Sequence, residues 1–175
     1  MTTENAAEKP PETPPPVGLM GQFLKEHGIH SEVLPESSGC ETIELKPADL
    51  ISALRLLRSS SEIALDFLLT VSGVDSPDTI DSVYHLRSYS NQNELVLKVR
   101  IKKSEIPEGR LPCVPSIANV WPTANWHERE TYDLVGIRYT GHPYLRRILN
   151  NANTSAKTTM QNTIASDSPG GPHAA

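Results

Sequence analysis

Apolar and polar residues repeat with different periods along the chain, and each change of period marks an element. Leu19, Met20, Phe23 and Leu24 fall on one side of a short helix over 17–27, stopped by Gly28. Residues 31–34 and 41–45 read as short strands, with 35–39 turning between them. Pro47 then opens a helix to about residue 58, on which Leu50, Ile51, Leu54 and Leu57 form one apolar stripe. Residues 63–74 are almost continuously apolar, which predicts either a buried strand or a helical turn running into one. Strict alternation over 81–88 and 94–102, joined by a link holding Asn91 and Asn93, predicts a hairpin. A Pro-rich stretch over 104–115 reads as a surface loop. This order of elements predicts an α+β fold: a two-layer domain with a mixed, mainly antiparallel sheet and helices on one face.

Residues 114–149 pack more chemistry than any other stretch: both tryptophans, His127 and His142, and a run of acids and bases beside Leu134, Val135 and Ile137. Asn125 with Glu128 three residues on reads as a variant capping box, so a helix is predicted over 126–135, ended by Gly136 in the left-handed conformation. A short strand over 137–139, a turn over 140–143 and a second short helix over 144–149 follow, making a C-terminal helix-turn-helix motif. On the first helix Trp126, Glu130, Asp133 and Leu134 share a face, and Arg129 can pair with Asp133 at i,i+4. Carboxylates beside a tryptophan are costly to bury unpaired, so Glu130 and Asp133 are expected to meet Arg146, Arg147 or backbone N–H groups. Such an arrangement is either a buried polar network or an active centre.

Composition narrows the choice. A chain of 175 residues, 37% apolar and 5% aromatic, has room for one modest domain, over 17–149. Residues 1–16 are expected to be a disordered Pro-rich arm, neither signal peptide nor anchor, and 150–175 a disordered polar tail. A net charge of −5 without a Lys/Arg run leaves no footprint for nucleic acid, and no stretch reaches the roughly 18 apolar residues that span a bilayer. Cys40 and Cys113 stand far apart without a C-x-x-C partner, which excludes a four-cysteine cluster within this chain. A hydrolase trio of Ser116, His127 and Asp133 lacks a nucleophile elbow, and a metal set of His127, Glu130 and His142 lacks the second helical histidine of H-E-x-x-H. No dinucleotide or Walker loop occurs. His85 reads as a sheet histidine and His142, before Pro143, as a turn-ordering one. From the residues alone, the stretch is an interaction surface or a structural clamp.

The run E-R-E-T-Y-D-L-V-G-I followed by G-H-P-Y-L-R-R-I-L, with S-V-Y-H-L-R-S and L-V-L-K-V-R upstream, resembles the signature of the C-type subunit, the thirty-kilodalton-type subunit, of bacterial NADH:quinone oxidoreductase, respiratory complex I. The likeness spans roughly 17–149. It departs from the family at Tyr144 and Val135, and after Leu149, where the Asn/Thr/Ser-rich stretch stands in place of an acidic-aromatic one. The resemblance implies a non-redox subunit of the peripheral arm of a proton-pumping enzyme. NADH, FMN, iron-sulfur clusters and quinone would all be held by partner subunits, with no cofactor, metal or catalytic residue in this chain. The partners implied are the D-type large subunit of the quinone pocket and the B-type and I-type subunits, at the cytoplasmic side of the inner membrane, with membrane contact only through the complex. Trp126, Glu128, Arg129, Glu130, Tyr132, Asp133, Gly136, His142, Pro143, Arg146 and Arg147 are then the docking and structural motif. Three alternatives stay open: the same subunit in a complex with a deazaflavin-, ferredoxin- or hydrogenase-linked input module, a free-standing binding module, and a metallohydrolase, which would carry stoichiometric zinc.

Overall fold

The computed structural model describes residues 18–35 and 39–149; the arm and tail expected over 1–16 and 150–175, and the middle of the turn expected over 35–39, lie outside the described residues. In chain order the elements are α1 (Leu19–Glu26), β1 (Ser31–Leu34), β2 (Glu41–Leu45), α2 (Leu50–Ser59), β3 (Phe67–Asp75), β4 (Thr79–Arg87), β5 (Glu94–Lys102), β6 (Cys113–Pro115), α3 (Ala124–Leu134) and β7 (Arg138–Thr140).

Five strands form one sheet in the order β1-β2-β5-β4-β3, antiparallel throughout except where β2 lies parallel to β5. The register puts Ile43, Leu97, Tyr84 and Val71 opposite one another in adjacent strands. With period-2 alternation, one face of the sheet therefore carries Ile43, Leu45, Leu95, Leu97, Val99, Tyr84 and Leu86, all buried. Met20 and Leu24 of α1, and Leu50, Ala53, Leu54 and Leu57 of α2, join them in one core. Each fully buried leucine contributes roughly 1.5–3 kcal/mol of transfer free energy. The other face is mainly polar, with Val83 and Val96 among its residues: the Arg100 guanidinium reaches Glu44 at 2.7 Å and Asp81 at 3.1 Å, tying three neighbouring strands together. The predicted α+β class and mixed, mainly antiparallel sheet are thus the observed ones.

Two local devices were not visible in the periodicity. Helix α1 has no side-chain cap of its own. Its N-terminal amides are satisfied from the sheet, where the buried Glu41 carboxylate accepts from Met20 N at 3.0 Å and Gly21 N at 2.7 Å. A carboxylate there also suits the positive end of the helix dipole. Secondly, α3 lies against β3 at Gly73: a Cβ added there would sit 2.7 Å from Thr131 Cγ2 and 2.9 Å from Val135 Cγ2. Gly73→Ala should push the helix off the sheet and cost about 1–3 kcal/mol as overpacking does, read as a lower denaturation midpoint. An unchanged midpoint would mean that α3 is not held this closely.

The C-terminal half differs from expectation in three places. The 104–115 loop ends in a strand, β6, which pairs parallel with β7 in a two-stranded sheet. Helix α3 starts at Ala124, because Ala124 N and Asn125 N already bond Trp121 O and Pro122 O in a turn that leads into it; Asn125 is inside the helix and caps nothing. No helix forms over 144–149. Six residues are too few to sustain a helix alone, and their amides are used elsewhere: Tyr144 N donates to His142 Nδ1, and Ile148 N and Leu149 N to Asp133. The motif is a helix, a short strand and a bound strap rather than a helix-turn-helix.

Candidate functional site

Helix α3 carries two carboxylates that are fully buried, Glu128 and Asp133, and each ties the helix to a segment distant in sequence. Glu128 Oε2 accepts from Ser116 Oγ at 2.6 Å and Oε1 from Ile117 N at 2.7 Å, fastening the turn after β6 to the helix. Asp133 Oδ2 accepts from Ile148 N at 3.0 Å and Leu149 N at 2.7 Å, with Arg147 Nε 3.9 Å from Oδ1. Gly136, at φ 85°, ends the helix and turns the chain into β7. One helix thus holds the 116–117 turn on one side and the 146–149 strap on the other.

Burial pushes the Glu128 carboxyl up to about 7, against the pull of its bonds from Ser116 and Ile117. His142 Nε2 lies 3.9 Å from Glu128 Oε2, yet this is no ion pair of fixed charge. Nδ1 accepts the Tyr144 N–H at 3.0 Å, so it carries no proton, while Nε2 sits 3.1 Å from the Asn125 carbonyl and donates to it. One nitrogen accepting and the other donating defines a neutral imidazole, and burial, together with the nearby Arg129 charge, holds the His142 pKa below its ordinary value. Deeper still, Tyr139 OH meets Ser82 Oγ at 2.9 Å, and burial raises the phenol's pKa. The Tyr84 hydroxyl is buried without a partner among the described residues.

At the surface, the Arg129 guanidinium is nearly buried, with its centre 4.8 Å from the Trp126 ring centroid and 5.8 Å from that of Tyr144. Arg146 lies 4.3 Å from the same Tyr144 ring. Arg129 Nε also donates to Arg146 O at 3.2 Å, which locks helix to strap. The rings themselves stay open: Trp126 is 64% and Tyr144 55% exposed.

The predicted site residues therefore divide. Glu128, Arg129, Asp133, His142, Arg146 and Arg147 converge, with Trp126 on the rim, Tyr132 half-buried against the core and Pro143 exposed in the turn. Glu130 does not join them. It is exposed, one residue round the helix from the buried face, so the expected burial of Glu130 with Trp126 and Asp133 on one face is incorrect. The expected Arg129–Asp133 pair is replaced by the Arg129–Arg146 bond and the Asp133 bonds to the strap. In the hydrolase trio, the Ser116 hydroxyl donates to Glu128 and Asp133 faces the strap. Among the described residues, no three His, Cys, Asp or Glu side chains converge on a metal position. Ser82 and Tyr139 escaped prediction, and Ser116 was read only as a candidate nucleophile, because their partners lie 12 to 57 residues away.

Residues 43–163 match the family described as respiratory-chain NADH dehydrogenase, 30 Kd subunit. The chain belongs to this family. Among its relatives is the C-type subunit of the NADH-quinone oxidoreductase of Roseiflexus castenholzii, 39% identical over 117 residues, covering 65% of this chain and 64% of that protein. The second C-type subunit (C 2) of the NADH-quinone oxidoreductase of Rhizobium meliloti is 37% identical over 134 residues, 75% of this chain and 64% of that protein. The chain therefore spans slightly under two thirds of the length of these relatives. The family fold also recurs in a chain from the structure of the membrane-bound sulfane sulfur reductase, an archaeal respiratory membrane complex, with TM-score 0.60, 20% identity and 75% of each chain covered. No helix among the described residues is long and apolar enough to cross a membrane.

Proposed function

We propose that this chain is a non-redox subunit of a membrane-associated NADH:quinone oxidoreductase, peripheral on the cytoplasmic side, which docks on the large subunit of the quinone pocket beside the B-type and I-type subunits. Electrons would pass from NADH through FMN and iron-sulfur clusters in those partners to quinone, with this chain holding the assembly in register. The observation that carries the reading is the open aromatic-guanidinium ladder of Trp126, Arg129, Tyr144 and Arg146 on a block braced by two buried carboxylates. Exposed Trp, Tyr and Arg are the residue types that dominate interface energetics. Held near both rings and bonded to Arg146 O, Arg129 has little side-chain freedom left to lose on docking. Family membership supports an enzyme-complex setting, since the relatives above are themselves named as NADH-quinone oxidoreductase subunits.

Affinity purification of the tagged full chain from solubilised membranes tests this. The proposal expects NADH:quinone oxidoreductase activity to co-purify, and the double variant Trp126→Ala/Tyr144→Ala to reduce the recovered complex by at least about thirtyfold, since interface anchors are worth roughly 2 kcal/mol or more. A chain recovered alone, or a double variant that assembles normally, would refute it. Activity with a different electron donor in the same eluate would instead identify a related complex with another input module.

A further inference from the structure

Away from the α3 ladder, the end of β5, the loop after it and the β6–β7 pair enclose a cleft of about 650 Å3. That size is within the range of about 300–1,000 Å3 typical of ligand pockets. Ile101, Ile106, Leu111 and Pro112 give it an apolar wall, and three arginines reach its lining. Arg100 is already engaged by Glu44 and Asp81, and the lining carboxylate Glu105 lies 3.9 Å from Lys102. Arg110 and Arg138 are different: both are exposed, and neither side chain has a hydrogen bond or ion pair with a described residue. The unbalanced charge at the cleft is therefore positive.

These two cations are set by rigid backbone. Arg110 ends a tight turn in which its N–H donates to Pro107 O at 3.0 Å, with Gly109 at φ 73° as a type II turn requires. Arg138 lies opposite Cys113 in the β6–β7 register, and its N–H donates to Pro112 O at 2.8 Å. Among the described strands β6 and β7 pair only with each other, which leaves an extended partner a strand edge to lie along.

Resting on the reading that this chain is a subunit of a larger complex, we infer that the cleft receives an extended segment of a neighbouring subunit, carrying a large apolar side chain flanked by Asp or Glu. The apolar side chain fills the wall of Ile101, Ile106 and Leu111, and the carboxylates pair with Arg110 and Arg138. This surface shares no residue with the α3 ladder, so it makes a second and separate point of attachment.

The exposed thiol of Cys113 on the cleft wall is a built-in reporter. Maleimide labelling, with Cys113 read by peptide mass spectrometry to separate it from Cys40, is compared in the isolated full chain, in the purified complex, and in the complex formed by Arg110→Glu/Arg138→Glu. The expected result is rapid labelling of the free chain and at least tenfold slower labelling in the complex. In the charge-reversed complex the rate should return toward that of the free chain. A photoactivatable maleimide on Cys113 should cross-link to an acidic, apolar segment of another subunit. Equal labelling in chain and complex, protection that survives charge reversal, or protection of the free chain by anionic phospholipid vesicles alone would each overturn the inference while leaving the subunit reading intact. Failure of the wild-type chain to enter any complex would defeat that reading and this inference together.

Discussion

Asp133→Ala is expected to lower stability by about 2–4 kcal/mol: two hydrogen bonds to a charged group, worth roughly 1.5–3 kcal/mol each, are lost, and water recovers part of the share at the exposed Leu149. Both amides, Ile148 N and Leu149 N, then lack their acceptor, and Arg147 loses a buried carboxylate 3.9 Å away. For a chain of this length, a loss of that size corresponds to a fall in Tm of roughly 10 °C. Asp133→Asn keeps one acceptor oxygen without the charge and should fall between the two. Thermal unfolding of the three proteins checks the order; an alanine variant as stable as wild type would mean that the strap is not held by Asp133. By contrast Glu130→Ala, on the exposed side of the helix, should change stability by less than about 0.5 kcal/mol, the usual scale for surface substitutions.

Glu128 gives the second large effect, and it depends on pH. Its folded pKa of about 7 lies above the ordinary carboxyl value of 4.5, so between those values the folded state keeps a proton that the unfolded state has released. Stability must then fall as pH rises from about 4.5 to about 7 and level off above, by about 3 kcal/mol in all at 1.36 kcal/mol per unit. His142 acts in the opposite sense. Its folded pKa lies below the ordinary 6.5, so it removes stability as pH falls below that value, where the unfolded chain charges and the folded ring does not. The two slopes oppose each other below pH 6.5, and the Glu128 contribution is isolated by subtraction. Denaturant titrations of wild type and Glu128→Gln across pH 4 to 8 should show wild type losing stability relative to the variant as pH rises. A pH-independent difference would contradict the buried, high-affinity carboxyl. Glu128→Ala should be severely destabilised at every pH, since Ser116 Oγ and Ile117 N lose their buried acceptor.

These two carboxylates also mark the limit of what local sequence rules reach. The hairpin of β4 and β5 and the stripe of α2 were legible because alternation and the 3.6-residue period are set by burial of one face, which leaves a repeating imprint on the chain. Glu128 was legible as a helix residue with an unusual partner, but the local rule assigned that partner to Asn125. The true partners, Ser116 and Ile117, lie in a turn whose position depends on β6 pairing with β7. For the same reason, Glu41 capping α1 from a neighbouring strand left no sequence signal: its acceptor role follows from sheet register, not spacing. The second helix over 144–149 failed because local propensity competes with a buried acid, and Asp133 takes the amides that would have closed the helical turn. Sequence placed both carboxylates in one stretch; only their tertiary partners decided which acid of that stretch was inside.

Hydroxyl-radical footprinting of Trp126 and Tyr144, in the isolated chain and in the complex purified with it, tests the docking role of this block most directly. With 64% and 55% of these residues exposed, both rings should oxidise readily in the free chain and be protected at least several-fold in the assembly. Equal oxidation in the two states would show that the ladder faces solvent in the complex and does not dock it.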